Sequence, residues 1–347
     1  MMGQSIGPVF GGIISNFLGF HAIFWFLFGL GAIALLLILM FLPETLRSIA
    51  GNGTIKLTAI HRPFVYKFTP SPAELVDRNL APKKNVTLSS IVAPLKFLFE
   101  KDVFITLFFG AIVYSVWSMV TSSTTALFQG PFNLNDLQVG LIFLPNGAGC
   151  VAGSYLTGYL MDYDYKKVEA QYRMAKGISP TASLNKKELI DFPVEESRMR
   201  NIWWIIIIFV LTTGIYGYSL SLNNLVLPLI LQFFIAYSAT AVFSLNSALV
   251  IDLYPGASAS ATAVNNLMRC SVGAAGVAGI QPMIDAITTG PAFLLLAGIT
   301  AVLSPLLLAE WFFGAEWREE RRVRLARKEE EKKMADAEKG TTPLVKN

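Results

Sequence analysis

Residues 22–42 carry no charged side chain and almost no polar atom, and comparable apolar runs recur along the chain. About 20 consecutive apolar residues is the length at which an α-helix crosses the hydrocarbon of a bilayer. Such runs place eight spans at roughly 3–18, 21–42, 103–127, 137–161, 202–221, 224–250, 257–284 and 291–313. Hydrophobic residues make up 53% of the sequence and charged ones 15%, with a mean hydropathy of +0.52, so most of the chain belongs in lipid. The fold class is an all-α polytopic membrane protein. The opening run lacks a basic segment ahead of it and carries glycines, so it reads as a span and not as a signal peptide.

Charge orients the spans. Every Lys and Arg except Arg269 falls in one of three segments, 47–101, 166–200 and 318–346. With spans alternating in direction these segments share one side. The loops near His21, at 128–136, at 221–224 and at 285–290 hold no Lys or Arg. The positive-inside rule makes the charged side cytoplasmic, with the C-terminus on that side and the plasma membrane as the expected location. The net charge of +4 is therefore a topology signal. No basic patch interleaved with aromatics points to nucleic acid.

Cys150 and Cys270 sit in spans, where free Cys behaves as a small apolar residue, and no disulfide framework is implied. The two histidines, His21 and His61, lie at or beyond the span edges. That excludes histidine-box iron chemistry and a Zn–His site. With no Ser-His-Asp or paired-carboxylate constellation in view, no enzyme, metal or cofactor is expected. The expected partners are the lipid bilayer and a small molecule moved across it.

Taken in order, the second, fifth and eighth spans are apolar on all sides and so are expected at the periphery, against lipid. Residues 43–101, rich in Pro, Lys and Arg, read as a linker with room for a short surface helix within 88–100. Asn52 and Asn85 head glycosylation sequons that the assigned topology keeps from modification. The outer half of the third span is crowded with Tyr114, Trp117 and a run of Ser and Thr through Thr125. Two readings stand there: hydroxyls bonded back to their own helix, or a wet cavity wall with Tyr114 and Trp117 facing a ligand.

In the fourth span Asn146 lies between Pro145 and Gly147, where it satisfies freed backbone or meets substrate. Gly149 and Gly153 form a close-packing face expected to meet the first span. The sixth span carries Gln232 and Tyr237, further cavity candidates. The seventh carries Asn265, Asn266 and Arg269, which can share a helical face. Arg269 is roughly 18 Å deep counted from Ala257. A guanidinium at that depth costs on the order of 3 kcal/mol unless paired or wet, so Arg269 serves substrate or coupling, or acts as a structural hydrogen-bond hub. Residues 168–200 read as a polar loop, and 316–339 as a solvated helix at the cytoplasmic surface.

Two strings are more specific. Gly3, Gly7, Pro8, Gly11 and Gly12 read G-x-x-x-G-P-x-x-G-G, with Gly3, Gly7 and Gly11 on one helical face. Small residues at this spacing let helix backbones approach in lipid, and Pro8 removes one main-chain donor and bends the helix. Further on, Gly158, Leu160, Asp162, Lys166 and Lys167 form a charged string at a span end. There Asp162 and the lysines can act as an ionic latch between two states, or serve only as topogenic charge.

Together with Leu42-Pro43-Glu44-Thr45-Leu46-Arg47, Leu144-Pro145-Asn146-Gly147 and Asn265-Asn266-Leu267-Met268-Arg269-Cys270, the glycine string resembles the twelve-span drug:proton antiporters of the major facilitator superfamily, in their fungal multidrug and quinidine-resistance branch. The string at 158–167 is similar to a degraded copy of that family's gating motif, departing at Asp164 and Tyr165. The resemblance implies two six-helix bundles rocking about a midplane site. The spans here are then equivalent to the fifth through twelfth. Residues 1–42 hold the last two spans of the N-terminal bundle, 43–101 a cytoplasmic linker, 102–313 the whole C-terminal bundle with a cytoplasmic loop at 162–200, and 314–347 a cytoplasmic tail. The implied activity is export of small drug-like or amphipathic molecules in exchange for protons. The proton-coupling motifs are expected in four earlier spans that this sequence lacks. A truncated, non-transporting product is the alternative, and a membrane-embedded binding protein or enzyme the rival of a different class.

Overall fold

The computed structural model describes residues 3–44, 64, 95, 98–179, 192–222, 224–253 and 258–340. Both sequons and most of the helix expected within 88–100 lie outside the described residues. Contacts divide the chain into two compact units, Phe10–Ala93 and Met1–Val9 with Pro94–Asn347.

Helices α1 (Gly3–Leu18) and α2 (Phe20–Phe41) are joined at Gly19. Gly19 has φ 81° and ψ 165°, a region that only glycine enters freely, so the chain turns between two helices in a single residue. Pro8 lies inside α1, which continues past it. The sixteen residues of α1 reach about 24 Å at 1.5 Å per residue, short of a full hydrocarbon core. Helix α2 buries none of its residues, as an all-apolar surface suited to lipid would.

The larger unit contains α3 (Lys101–Gln129), α4 (Asp136–Lys176), α5 (Val194–Met199), α6 (Ile202–Ser219), α7 (Val226–Leu253), α8 (Ser258–Ile287), α9 (Thr289–Leu303) and α10 (Pro305–Gly340). Among the described residues seven helices are long and apolar enough to cross a membrane, the last running from α9 into α10. Helix α7 is the hub of this unit, packed on α4, α6, α3 and α8, while α8 lies on α3 and α9 on α6. The core carries Trp117, Phe109 and Phe128 of α3, Phe209 and Tyr216 of α6, Ile235 and Leu249 of α7 and Phe293 of α9. Helix α6 shows how a peripheral span divides its surface: Ile205, Phe209 and Tyr216 are buried, whereas Ile207, Leu211 and Ile215 are exposed.

Four expectations are corrected. The glycines of α4 meet α7, not the first span: a Cβ on Gly149 would strike the carbonyl of Phe233, and one on Gly153 would lie 2.5 Å from the carbonyl of Tyr237. The stretch 162–176, read as the start of a loop, continues α4 to 41 residues. It is polar yet made of good helix formers, with Glu169 and Arg173 paired at 2.6 Å one turn apart and Gly177 closing the helix at φ 66°. Asn135 and Gln138 form a reciprocal capping box at its other end. The eighth span is broken at Ser304, so that Pro305 begins a new helix where its missing N–H costs nothing. The tail is not a free solvated helix, because its proximal part docks on the bundle through Arg318 and Arg321.

Candidate functional site

The hydroxyls of α3 turn inward on their own helix. Thr121 donates to Trp117 O at 2.9 Å, Ser123 to Met119 O at 2.8 Å and Thr124 to Val120 O at 2.7 Å. Behind them lies a buried polar chain. Trp117 Nε1 donates to Asn146 Oδ1 at 2.9 Å. Gln232 Nε2 donates to Thr124 Oγ1 at 2.7 Å and to the Tyr216 hydroxyl at 3.2 Å. Trp117, Asn146 and Gln232 are each 3% exposed or less, so these three candidates lie inside the bundle, where Asn146 Nδ2 and Gln232 Oε1 have no hydrogen-bond partner among the described residues. Tyr237, also buried, rests its ring against Trp204 of α6.

Arg269, Asn266 and Tyr114 come together on a more open face. Arg269 Nη2 donates to Asn266 Oδ1 at 3.1 Å. Its guanidinium carbon lies 4.5 Å from the Tyr114 ring centre of α3 and 4.2 Å from that of Phe243 of α7. Two aromatic faces thus hold the cation in a medium where its charge needs partners, while Nε has no hydrogen-bond partner among the described residues. Asn265 is separated from this group: it is buried and donates to Ser247 Oγ of α7 at 3.1 Å. The expected shared face of Asn265, Asn266 and Arg269 is thus split, because neighbouring residues on a helix point about 100° apart. The arrangement offers a planar donor between two rings, suited to a carboxylate.

At the basic end of the bundle, Asp162, Lys166 and Lys167 are exposed and form no ion pair among the described residues. The engaged groups are the two that depart from the family string. Asp164 is buried and accepts from Asn201 Nδ2, and Tyr165 lies under Arg198, which pairs with Asp252 at 2.8 Å. The ionic latch expected of Asp162, Lys166 and Lys167 is not made in this conformation. Gly3, Gly7, Pro8, Gly11 and Gly12 lie on α1.

Sequence reading missed a second cluster, Asp102, Glu195, Glu310 and Arg321, all buried. Glu310 was findable, since it is the sole charged residue in the apolar run 291–313. The same oddity drew attention to Arg269.

An all-helical unit with a hub helix, apolar outer faces and a cation held on one polar face is that of a multi-pass membrane protein. Residues 1–277 match the Major Facilitator Superfamily, and the chain belongs to that family. It is 56% identical to citrate exporter 1 of Aspergillus niger over 329 residues, 94% of this chain and 63% of that protein. The MFS-type transporter phiL of a fungal species is 30% identical, with 88% of this chain and 76% of that protein covered. The MFS antiporter QDR2 of Candida albicans is 27% identical over 89% of this chain and 60% of that protein. The chain thus spans less than two thirds of the length of the citrate exporter it matches.

Proposed function

We propose that the protein is a proton-coupled exporter of small organic anions and that Arg269 holds a substrate carboxylate. The observation that carries this reading is the Arg269 guanidinium, seated between Tyr114 and Phe243 with Nε unpartnered. Nε is buried, so a carboxylate would accept from the two Nη groups, a bidentate form of this contact. The citrate exporter of Aspergillus niger, at 56% identity, supports a polycarboxylate as the substrate. A second reading, export of drug-like amphipathic molecules, draws on the glycine string of α1, on QDR2 and on the flat faces of Tyr114 and Phe243.

In either case α3, α4, α6, α7, α8 and α9 with the start of α10 serve as the six spans of the second bundle, with α1 and α2 as the last two helices of the first. Residues 43–101 link them, and the end of α4 from 162, the segment 177–200 and the tail 314–347 lie in the cytoplasm. Alternating access belongs to the full two-bundle protein. The basic segments support a cytoplasmic tail and a plasma-membrane location. Protons enter as the counter-ion by analogy with the antiporter string, through groups of the first bundle.

The test is uptake of labelled citrate into inside-out vesicles under an imposed pH gradient, with the full-length protein and its Arg269→Ala variant. At least a tenfold loss of citrate transport, with the amount in the membrane unchanged, is expected. An equal fall in abundance and transport would make Arg269 structural, and unaltered citrate transport would remove it from the site. Transport of an amphipathic dye, with citrate neither moved nor competing, would select the second reading.

A further inference from the structure

Three carboxylates and two guanidiniums meet where α3, α5, α7 and α10 come together. Asp102 opens α3, Glu195 lies on α5, and Glu310, Arg318 and Arg321 follow one side of α10 at helical spacing. Relative exposure is 0% for Glu310, 1% for Asp102, 3% for Glu195 and 5% for Arg321. Arg321 pairs with Asp102 and donates to Leu253 O at 3.4 Å. Arg318 lies 3.3 Å from Glu195 and donates to Phe192 O at 3.0 Å. Gly314 lets the two glutamates converge: a Cβ there would sit 3.0 Å from Glu195 Cγ and 3.1 Å from Glu310 Oε1. Neither oxygen of Glu310 has a hydrogen-bond partner among the described residues.

The charge count decides what this cluster does. Fully ionised, three acids against two arginines leave one negative charge without a partner in a site closed to water, which burial strongly disfavours. Among the described residues the neighbours supply no third cation. Glu100 pairs with Arg324, Lys101 and Glu196 face solvent, and Arg198 is committed to Asp252. Helix α9 carries no titratable side chain. One proton shared by Glu195 and Glu310 balances the cluster. In agreement, burial pushes the Glu195 carboxyl above the usual carboxylate range, against the pull of Arg318. A cavity of about 90 Å³ bordered by Asp102, Trp317, Glu320 and Arg321 reaches the Asp102–Arg321 edge of the cluster and not the two glutamates.

We propose that Glu195 and Glu310 together form a proton-binding site that clasps α10 to the bundle, docked with one proton bound and released when that proton leaves. Released, both carboxyls face water and ionise, so the docked state holds one more proton than the free one. Docking is therefore strongest at low pH, and between the carboxyl pKa of the free state and the raised pKa of the docked state the docked-to-free ratio falls about tenfold for each pH unit. Glu195→Gln and Glu310→Gln each leave two acids facing two arginines, a balanced cluster that needs no proton.

The measurement is the distance between nitroxides at Met174→Cys on α4 and Val323→Cys on α10, in full-length protein in nanodiscs with Cys150 and Cys270 replaced. The wild-type background should give one narrow distance in acid that broadens as pH rises. Both neutral variants should keep the narrow distance throughout. A wild-type distance unmoved by pH, or variants that broaden at the same pH as wild type, would overturn the proposal. If Glu310→Gln fails to reach the membrane, Glu195→Gln carries the same expectation and the same two outcomes.

Discussion

Arg269 is a cation without a counter-charge among the described residues, and its surroundings say how it is tolerated: two ring faces at 4.2 and 4.5 Å and one amide. Rings stabilise a cation without neutralising it, so an incoming anion still finds the full charge. Lysine would keep the charge but not the planar fork. Arg269→Lys is therefore expected to raise the KM for a carboxylate substrate about tenfold, the effect of ~1.4 kcal/mol, with little change in the amount of folded protein. A KM equal to wild type would show that charge alone suffices. Trp117 and Asn146 make the opposite case, a polar pair with no free capacity on the Trp117 side. Trp117→Phe keeps the ring but strips Asn146 Oδ1 of its donor. Detergent unfolding should report a loss of about 1 kcal/mol, the scale of buried side-chain hydrogen bonds in membrane bundles. Stability equal to wild type would mean that Asn146 finds another donor.

Helices α4 and α7 pack most closely where glycine removes the side chain, and that seam can be tested against an internal control. Gly149→Ala drives a methyl into the carbonyl of Phe233, backbone that cannot turn aside, whereas a methyl on Gly158 of the same helix meets nothing within 4 Å. Gly149→Ala is expected to cost roughly 3 kcal/mol, the upper range for overpacking, and Gly158→Ala to cost nothing or to stabilise slightly through helix propensity. Equal effects of the two would remove the seam as the cause. The elements themselves were legible in the sequence, since each of the eight apolar runs coincides with helix, because hydrocarbon leaves the backbone little else. The small-residue face at Gly149 and Gly153 was legible too, but not its partner, since spacing shows that a backbone can approach and not which one does. One boundary was misread because polarity was taken as the end of a helix, since α4 runs on through 162–176; the tail was read as a helix, but a solvated one, whereas α10 docks through Arg318 and Arg321. Of the candidate site, Arg269, Asn266 and Tyr114 were legible in the sequence and Phe243 was not. Burial of Trp117, Asn146 and Gln232 depends on long-range pairings such as Gln232 with Thr124, which no local pattern encodes.

At the scale of the whole molecule, ion pairs in the larger unit gather at one end. Arg198 with Asp252, Arg318 with Glu195, Arg321 with Asp102 and Arg324 with Glu100 join segments up to 224 residues apart. The opposite end carries the capping box of Asn135, the turn at Leu220–Leu222 and the α8–α9 junction at Thr288, with no basic side chain. A bilayer with anionic lipid on its cytoplasmic face, and an insertion machinery that retains Lys and Arg there, orients such a bundle one way. Single cysteines at Lys166 and Arg322, in a background with Cys150 and Cys270 replaced, should therefore resist a membrane-impermeant maleimide on intact cells. Cysteines at Asn133 and Asp285 should react, and permeabilised cells should label all four. Labelling of Lys166→Cys from outside would invert the bundle and make the acid-held clasp of α10 a sensor of the external medium. Labelling of Lys166→Cys and Arg322→Cys from opposite sides would be worse for the fold: it would require an odd number of crossings between α4 and α10, against the alternation of α6, α7, α8 and α9.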